Sequence, residues 1–161
     1  MVGPGVAHLG IDNSVWSDHT DTAPTMMALL GLRPHYLPDG RVLGEIFDPS
    51  PLPPHMRAHR GTLLRLGQTF TQLEAPVGAF GLDTLRASTH ALASDSPGDA
   101  TYTQMENALQ RLGAERDTVG AHMRALLLGA AFGGRSLNVA AARALIRAGD
   151  RLLGRAAVLG A

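Results

Sequence analysis

The chain has 161 residues, enough for one domain, and its 14 basic and 14 acidic residues give a formal net charge of +0. A neutral chain offers no overall attraction to nucleic acid, and it also lacks some of the charge repulsion that opposes self-association. It contains no cysteine and no lysine. That excludes disulfides, thiolate metal sites and a thiol nucleophile, together with a Walker-type phosphate loop, a Schiff base and a Lys general base. Hydrophobic residues make up 45% but aromatics only 4%, so the core is an Ala/Leu core, suited to closely packed helices. The opening Met1-Val2-Gly3-Pro4-Gly5 has neither the basic start nor the apolar centre of a signal peptide. The longest apolar stretch, around Ala125 to Phe132, is too short to cross a bilayer.

The first elements are short. Val2-Gly3-Pro4-Gly5-Val6 and Ile11-Asp12-Asn13-Ser14 read as turns, and Val15-Trp16 as a brief extended piece. A helix opens within Ser17-Asp18-His19-Thr20-Asp21-Thr22-Ala23-Pro24-Thr25. Either Asp21 caps it with Pro24 in the first turn, or Ala23 caps it with Pro24 at the first helical position. Met26, Met27, Leu29 and Leu30 supply an apolar face, and Gly31 is a natural stop. Pro38-Asp39-Gly40 is a turn, and Arg41 to Phe47 are expected to form a last short helix.

From Val2 to Phe47 this order resembles the C-terminal part of the alkaline phosphatase superfamily, which includes phosphatases, phosphodiesterases, phosphomutases and sulfatases. In those enzymes a Gly-Pro-Gly turn leaves a late strand of the central sheet. A segment of the form His-x-Asp-x-x-Pro-Thr, here His19 to Thr25, then opens a helix ending in Leu-x-Gly-Leu, here Leu29 to Leu32. The resemblance implies that residues 1–47 are the C-terminal remnant of an alkaline-phosphatase-like α/β domain. The parent would hydrolyse or transfer phosphate or sulfate esters, using a hydroxyl nucleophile and two divalent metal ions, commonly zinc. It also implies that the nucleophile and the metal ligands lie in an N-terminal catalytic part, which would be this chain's partner and would carry any export signal. His19, between Asp18 and Asp21, is the candidate metal ligand within the segment. The resemblance makes it a residue packed near a helix start instead, because the family's last metal-binding His precedes the Gly-Pro-Gly turn. No catalytic or cofactor-binding residue is expected here: Thr20, Thr22 and Thr25 lie in the late helix without a base or metal cluster beside them.

Asp48-Pro49-Ser50-Pro51-Leu52-Pro53-Pro54 is a proline-rich linker, placed at 48–54 as a domain boundary. Residues 55–161 contain no sheet-forming pattern and read as an all-α bundle. Met56 to Glu74 carries Leu63, Leu66, Phe70 and Leu73 at helical spacing. Ala75-Pro76-Val77-Gly78 interrupts it, and Leu82, Leu85 and Leu92 mark a second helix that ends at Ser94-Asp95-Ser96-Pro97-Gly98. Tyr102, Met105, Leu109, Leu112, Val119, Met123 and Leu126 form a heptad seam along a third, with Arg116 out of pattern. Gly129 to Arg135 turns the chain, and Ser136 is expected to cap a fourth helix carrying Leu137, Leu145, Ala148, Leu152 and Leu159. The last two helices should fold back as an antiparallel hairpin.

Other residue patterns have bland explanations. His55 and His59 share i, i+4 spacing, but Met56 stands where the helical zinc motif needs Glu, and Arg57 and Arg60 would repel a cation. Gly133-Gly134-Arg135-Ser136 precedes a helix and could cradle an anion, although a turn and cap suffice. The nucleophile-elbow pattern fails at Asn138. Asp21 and Asp39 fit cap and turn roles, Asp18 has no partner cluster except His19, and His8, His35, His90 and His122 stand alone. The chain is thus expected to be mainly α and non-catalytic by itself, with a stand-alone helical interaction or scaffold module as the alternative. In a lone chain Trp16, Met26, Leu29 and Leu30 would be exposed, favouring self-association.

Overall fold

The computed structural model describes residues 3–49, 52, 54–95 and 97–161. Val2, Ser50, Pro51, Pro53 and Ser96, which figure in the turns above, lie outside the described residues. The architecture is mainly helical. Among the described residues there is no strand, and sheet-type pairing is confined to one isolated antiparallel bridge between Val6 and Phe47. The strands of an α/β remnant are therefore not seen in residues 3–47.

Asp18 begins the first element. Its carboxylate accepts from the Thr20 amide at 2.9 Å, while the Asp18 amide donates to Asp21 Oδ2 at 3.0 Å, closing a capping box around a 3₁₀ turn at His19–Asp21. Helix α1 (Thr22–Leu29) continues directly, with Pro24 inside its first turn. Asp21 holds the N-cap position of α1, but its carboxylate makes no capping bond to α1; Oδ1 instead accepts from the Arg41 amide at 2.8 Å. Gly31, at φ 68°, lets the Leu32 amide reach the Met27 carbonyl at 2.9 Å, a Schellman closure. The expected helix from Arg41 to Phe47 shrinks to a 3₁₀ turn at Gly44–Ile46: Leu43, at ψ 75°, lies outside the helical region, and the Arg41 and Leu43 amides are bonded to Asp21 and to Thr25 Oγ1.

The helix expected from Met56 breaks at Ala58-His59 into α2 (Pro54–Arg57) and α3 (Arg60–Glu74). Leu66, Phe70 and Leu73 are buried on α3 as their spacing requires. Pro76 forces Ala75 into extended backbone, at ψ 137°, and ends the helix. Helix α4 (Ala79–Leu92) turns Phe80, Ala87 and Ala91 inward. Leu82, Leu85 and Leu92, which marked it in the sequence, lie on its opposite, exposed face.

Helix α5 (Ala100–Ala131) has 32 residues, about 48 Å at 1.5 Å per residue. Its seam is buried at Leu112 and Met123 and half-buried at Val119 and Leu126, and Tyr102 is exposed. Helix α6 (Val139–Leu159) is capped by Asn138, not Ser136: the Asn138 side chain accepts from the Ala141 amide at 3.0 Å. Leu137, just before the cap, and Ala142, four residues into the helix, join the same core cluster, as a hydrophobic staple would. α6 packs on α3, α4 and α5 alike. One apolar core runs through Leu66, Leu73, Phe80, Met123 and Leu152, and a smaller cluster joins Phe47, Leu52 and Met56 beside Leu29 and Leu63.

Candidate functional site

The region carrying the family-like motif is a polar hub. Thr25 is buried; its hydroxyl donates to the Asp21 carbonyl at 2.6 Å and accepts from the Leu43 amide at 2.9 Å. Gly40 lies so close to Thr20 that a Cβ would stand 2.3 Å from the Thr20 carbonyl oxygen, so the Pro38-Asp39-Gly40 turn is clamped to the start of α1. Arg41 then reaches into the protein. Its guanidinium is buried, donating to Thr71 Oγ1 at 2.9 Å and to Glu45 Oε2 at 2.8 Å. It passes over Gly67, where a Cβ would approach to 3.0 Å. Arg60 adds a second tie, donating to the Gly44 and Phe47 carbonyls at 2.9 and 3.2 Å. These bonds are structural: Asp21, Thr25 and Arg41 hold residues 18–47 onto α3.

His19 stands outside this hub. Its side chain is 93% exposed, with Nδ1 3.0 Å from Asp18 Oδ1. The Thr20 amide, more than His19 itself, holds the Asp18 carboxyl below its usual value. Among the described residues no group of three or more His, Asp or Glu side chains converges on a point where a metal ion could sit. His8, His35, His90 and His122 are exposed, as is Asp39.

His55 and His59 are separated by the α2–α3 break, so their spacing does not place them on one helical face. His55 Nε2 lies 3.3 Å from the Ala130 carbonyl at the end of α5, where its Nε2–H tautomer donates to that oxygen. At Gly133–Arg135 the amides of Gly133 and Arg135 both donate to the Gly129 carbonyl, at 3.1 and 3.2 Å. They close α5 by turning back onto its last carbonyls.

A cleft of about 470 Å³ lies beside His55. Leu29, Leu32, Phe47, Met56 and Phe132 line it, with Arg33, Asp48 and His55 as its charged or polar residues. No local pattern signals it, since its walls come from α1, the turn after Phe47, α2 and the far end of α5.

Arg116, the seam residue out of pattern, is explained by α3 and α4. It stacks on Phe80, with the guanidinium carbon 5.3 Å from the ring centroid, and its Nε lies 3.8 Å from Glu74 Oε1. Arg124 Nη2 lies 3.4 Å from Glu74 Oε2, and its guanidinium carbon stands 5.5 Å from the Phe70 centroid. Glu74 fits here because Gly120 faces it: a Cβ there would stand 2.3 Å from Oε1. Burial pushes the Glu74 carboxyl above its usual value, and the two arginines offset this only in part.

No helix among the described residues is long and apolar enough to cross a membrane. Compared with protein-family models, curated proteins and solved structures, the chain matches none of them.

Proposed function

We propose that residues 3–47 are the closing piece of a metal-dependent phosphoric or sulfuric ester hydrolase of the kind the sequence resembles. Residues 55–161 are then a helical bundle, ending in an antiparallel hairpin of α5 and α6, that carries this piece. In this reading the hydroxyl nucleophile, the two zinc-like ions and the ester site belong to a further catalytic part, and the chain itself is not catalytic. The observation that carries the reading is apolar surface on the motif-bearing segment. Met26 and Leu30 on α1 are 51% and 68% exposed, and Ile11 is 90% exposed, with Leu9, Leu32 and Leu37 also open. A short segment with this many large exposed apolar side chains is suited to a covering surface.

A stand-alone helical interaction or scaffold module is the second reading. It is favoured by the buried Arg41 and by Arg60, which tie residues 41–47 to α3 without any further part.

Two measurements on the purified chain test these readings. With Zn²⁺ added, it should turn over neither p-nitrophenyl phosphate, bis-p-nitrophenyl phosphate nor p-nitrophenyl sulfate. Turnover that is lost in His19→Ala would overturn the non-catalytic assignment. Hydrogen exchange should find the α1 amides opening far faster than those of α6. A monomer with slowly exchanging α1 amides would instead support the stand-alone module.

A further inference from the structure

Helix α4 buries one face and leaves a regular apolar stripe on the other. Leu82, Leu85, Thr89 and Leu92 follow one another at intervals of three, four and three residues. That is the spacing of a helix seam, and it runs about 15 Å along α4 at 1.5 Å per residue. Leu85 and Leu92 are 63% and 69% exposed, and Leu82 is 41% exposed. The Thr89 hydroxyl donates to the Leu85 carbonyl at 2.9 Å, so covering Thr89 would strand no donor. The stripe is prolonged at both ends. Val77, just before the Gly78 cap, and Leu82 hold the two positions of a hydrophobic staple. Tyr102 of α5 lines the same hollow of about 230 Å³ as Leu92.

The charged side chains of α4 fall outside the stripe. Asp83 stands two residues from Leu85, hence across the helix, and Arg86 is bonded to its Oδ1 at 2.8 Å. His90 is about 140° round the helix from Leu85. The apolar area is also substantial. With about 200 Å² for a fully exposed leucine, Val77, Leu82, Leu85, Leu92 and Tyr102 together present on the order of 500 Å² at their observed exposures. Interfaces are about 57% apolar, so a patch of this size with its polar rim covers roughly 900 Å². A standard interface takes about 800 Å² from each partner.

We propose that a second copy of this chain covers this face, with the two α4 helices packed antiparallel across a two-fold axis. The three-four-three spacing reads the same in both directions. In an antiparallel pair Leu85 therefore meets the partner's Thr89, and Leu82 meets the partner's Leu92. Each position of the stripe finds its opposite, as a two-fold interface requires. Antiparallel packing also opposes the two helix dipoles, where parallel packing would align them. The formal charge of +0 adds no net repulsion between copies. The proposal stands apart from both readings of residues 3–47.

Sedimentation equilibrium on the full chain, from about 1 to about 200 µM, tests it. The expected result is a mass that rises with concentration toward twice that of the chain. Leu85→Glu places a charge on the stripe at an exposed site and keeps a good helix former, so the variant should fold and dimerise at least about tenfold more weakly. Leu30→Glu, on the separate apolar surface of α1, should dimerise as the parent does. The chain has no cysteine, which allows the direction of packing to be read by cross-linking. A mixture of Leu85→Cys and Thr89→Cys chains should be joined by a short bismaleimide faster than either chain alone. The proposal is overturned if the chain stays monomeric throughout, if a folded Leu85→Glu chain, verified by circular dichroism, dimerises as the parent does, or if Leu30→Glu abolishes the dimer. It is equally overturned if either cysteine chain alone cross-links as fast as the mixture.

Discussion

Two glycines of the same helix should respond in opposite directions to the same added methyl group. At Gly149 a Cβ would stand 2.5 Å from Thr69 Cγ2, 2.9 Å from Met123 Cε and 3.1 Å from Leu73 Cδ1. Met and Leu can swing a terminal methyl aside, but Thr69 is β-branched and its side chain is stiff. The clash therefore has to be relieved by moving α6 away from α3. Overpacking of this kind costs typically about 1–3 kcal/mol. At Gly154, five residues on, the same Cβ meets nothing within 4 Å. Both substitutions gain the same helix propensity, about 0.8–1 kcal/mol. Gly154→Ala should thus be stabilised by that amount. Gly149→Ala should fall below it by the packing cost alone, a difference of about 1–3 kcal/mol. With a urea m value of about 2 kcal/mol/M, the two midpoints should differ by roughly 1 M. Urea titration followed by circular dichroism measures this directly. Equal midpoints with equal m values would refute the idea that α6 meets α3 and α5 through a gap of one missing side chain.

The cap of α6 and the carboxylate at the α3–α5 contact give two further tests. Asn138→Ala should destabilise the chain by about 0.5–2 kcal/mol, whereas Ser136→Ala should stay within about 0.5 kcal/mol, both read from thermal or urea midpoints. Glu74 is an acid whose folded pKa is raised by burial. The native state therefore holds its proton to higher pH than the unfolded chain, and stability attached to this group falls as pH rises from about the usual 4.5 through the folded value. Glu74→Gln should remove that loss. It should match the parent near pH 4 and exceed it at pH 7, and urea midpoints across this range would expose a wrong assignment as a constant difference.

Helices α3, α5 and α6 were legible because apolar spacing directly reports a buried face: Leu66, Phe70 and Leu73, or Leu112 and Met123, are buried where the period places them. The existence of α4 was legible but its facing was not. Its leucines point outward because Phe80, Ala87 and Ala91 share the other side, and alanines carry little signal in a leucine-weighted pattern. The cap of α6 went to Asn138 over Ser136, a choice between two good capping residues that depends on where the chain leaves the core at Leu137. The role of Arg41 was not legible at all. Its burial depends on Gly67 and Thr71, about 30 residues away, and nothing local announces that a charged side chain will be accommodated there. The same holds for Arg116, which breaks the seam only until Glu74, Phe80 and the notch at Gly120 are set around it. His19 lies exposed beside Asp18, while Asp21 is buried and bonded to the Arg41 amide, so the motif marks both a helix start and the clamp that holds the following turn to it.

The helix that packs most extensively on the other three long helices is the last of them to be synthesised. Until α6 emerges, Leu73, Met123 and Phe80 have lost their common partner, and α3, α4 and α5 present open apolar faces to whatever surrounds the nascent chain. At about 5–20 residues per second, the 21 residues of α6 take on the order of one to four seconds to make. During that interval the unfinished bundle is a client for holdase chaperones and for its own neighbours on a polysome. A ribosome stalled within α6 would therefore yield a sticky three-helix intermediate in place of a slightly shortened native protein.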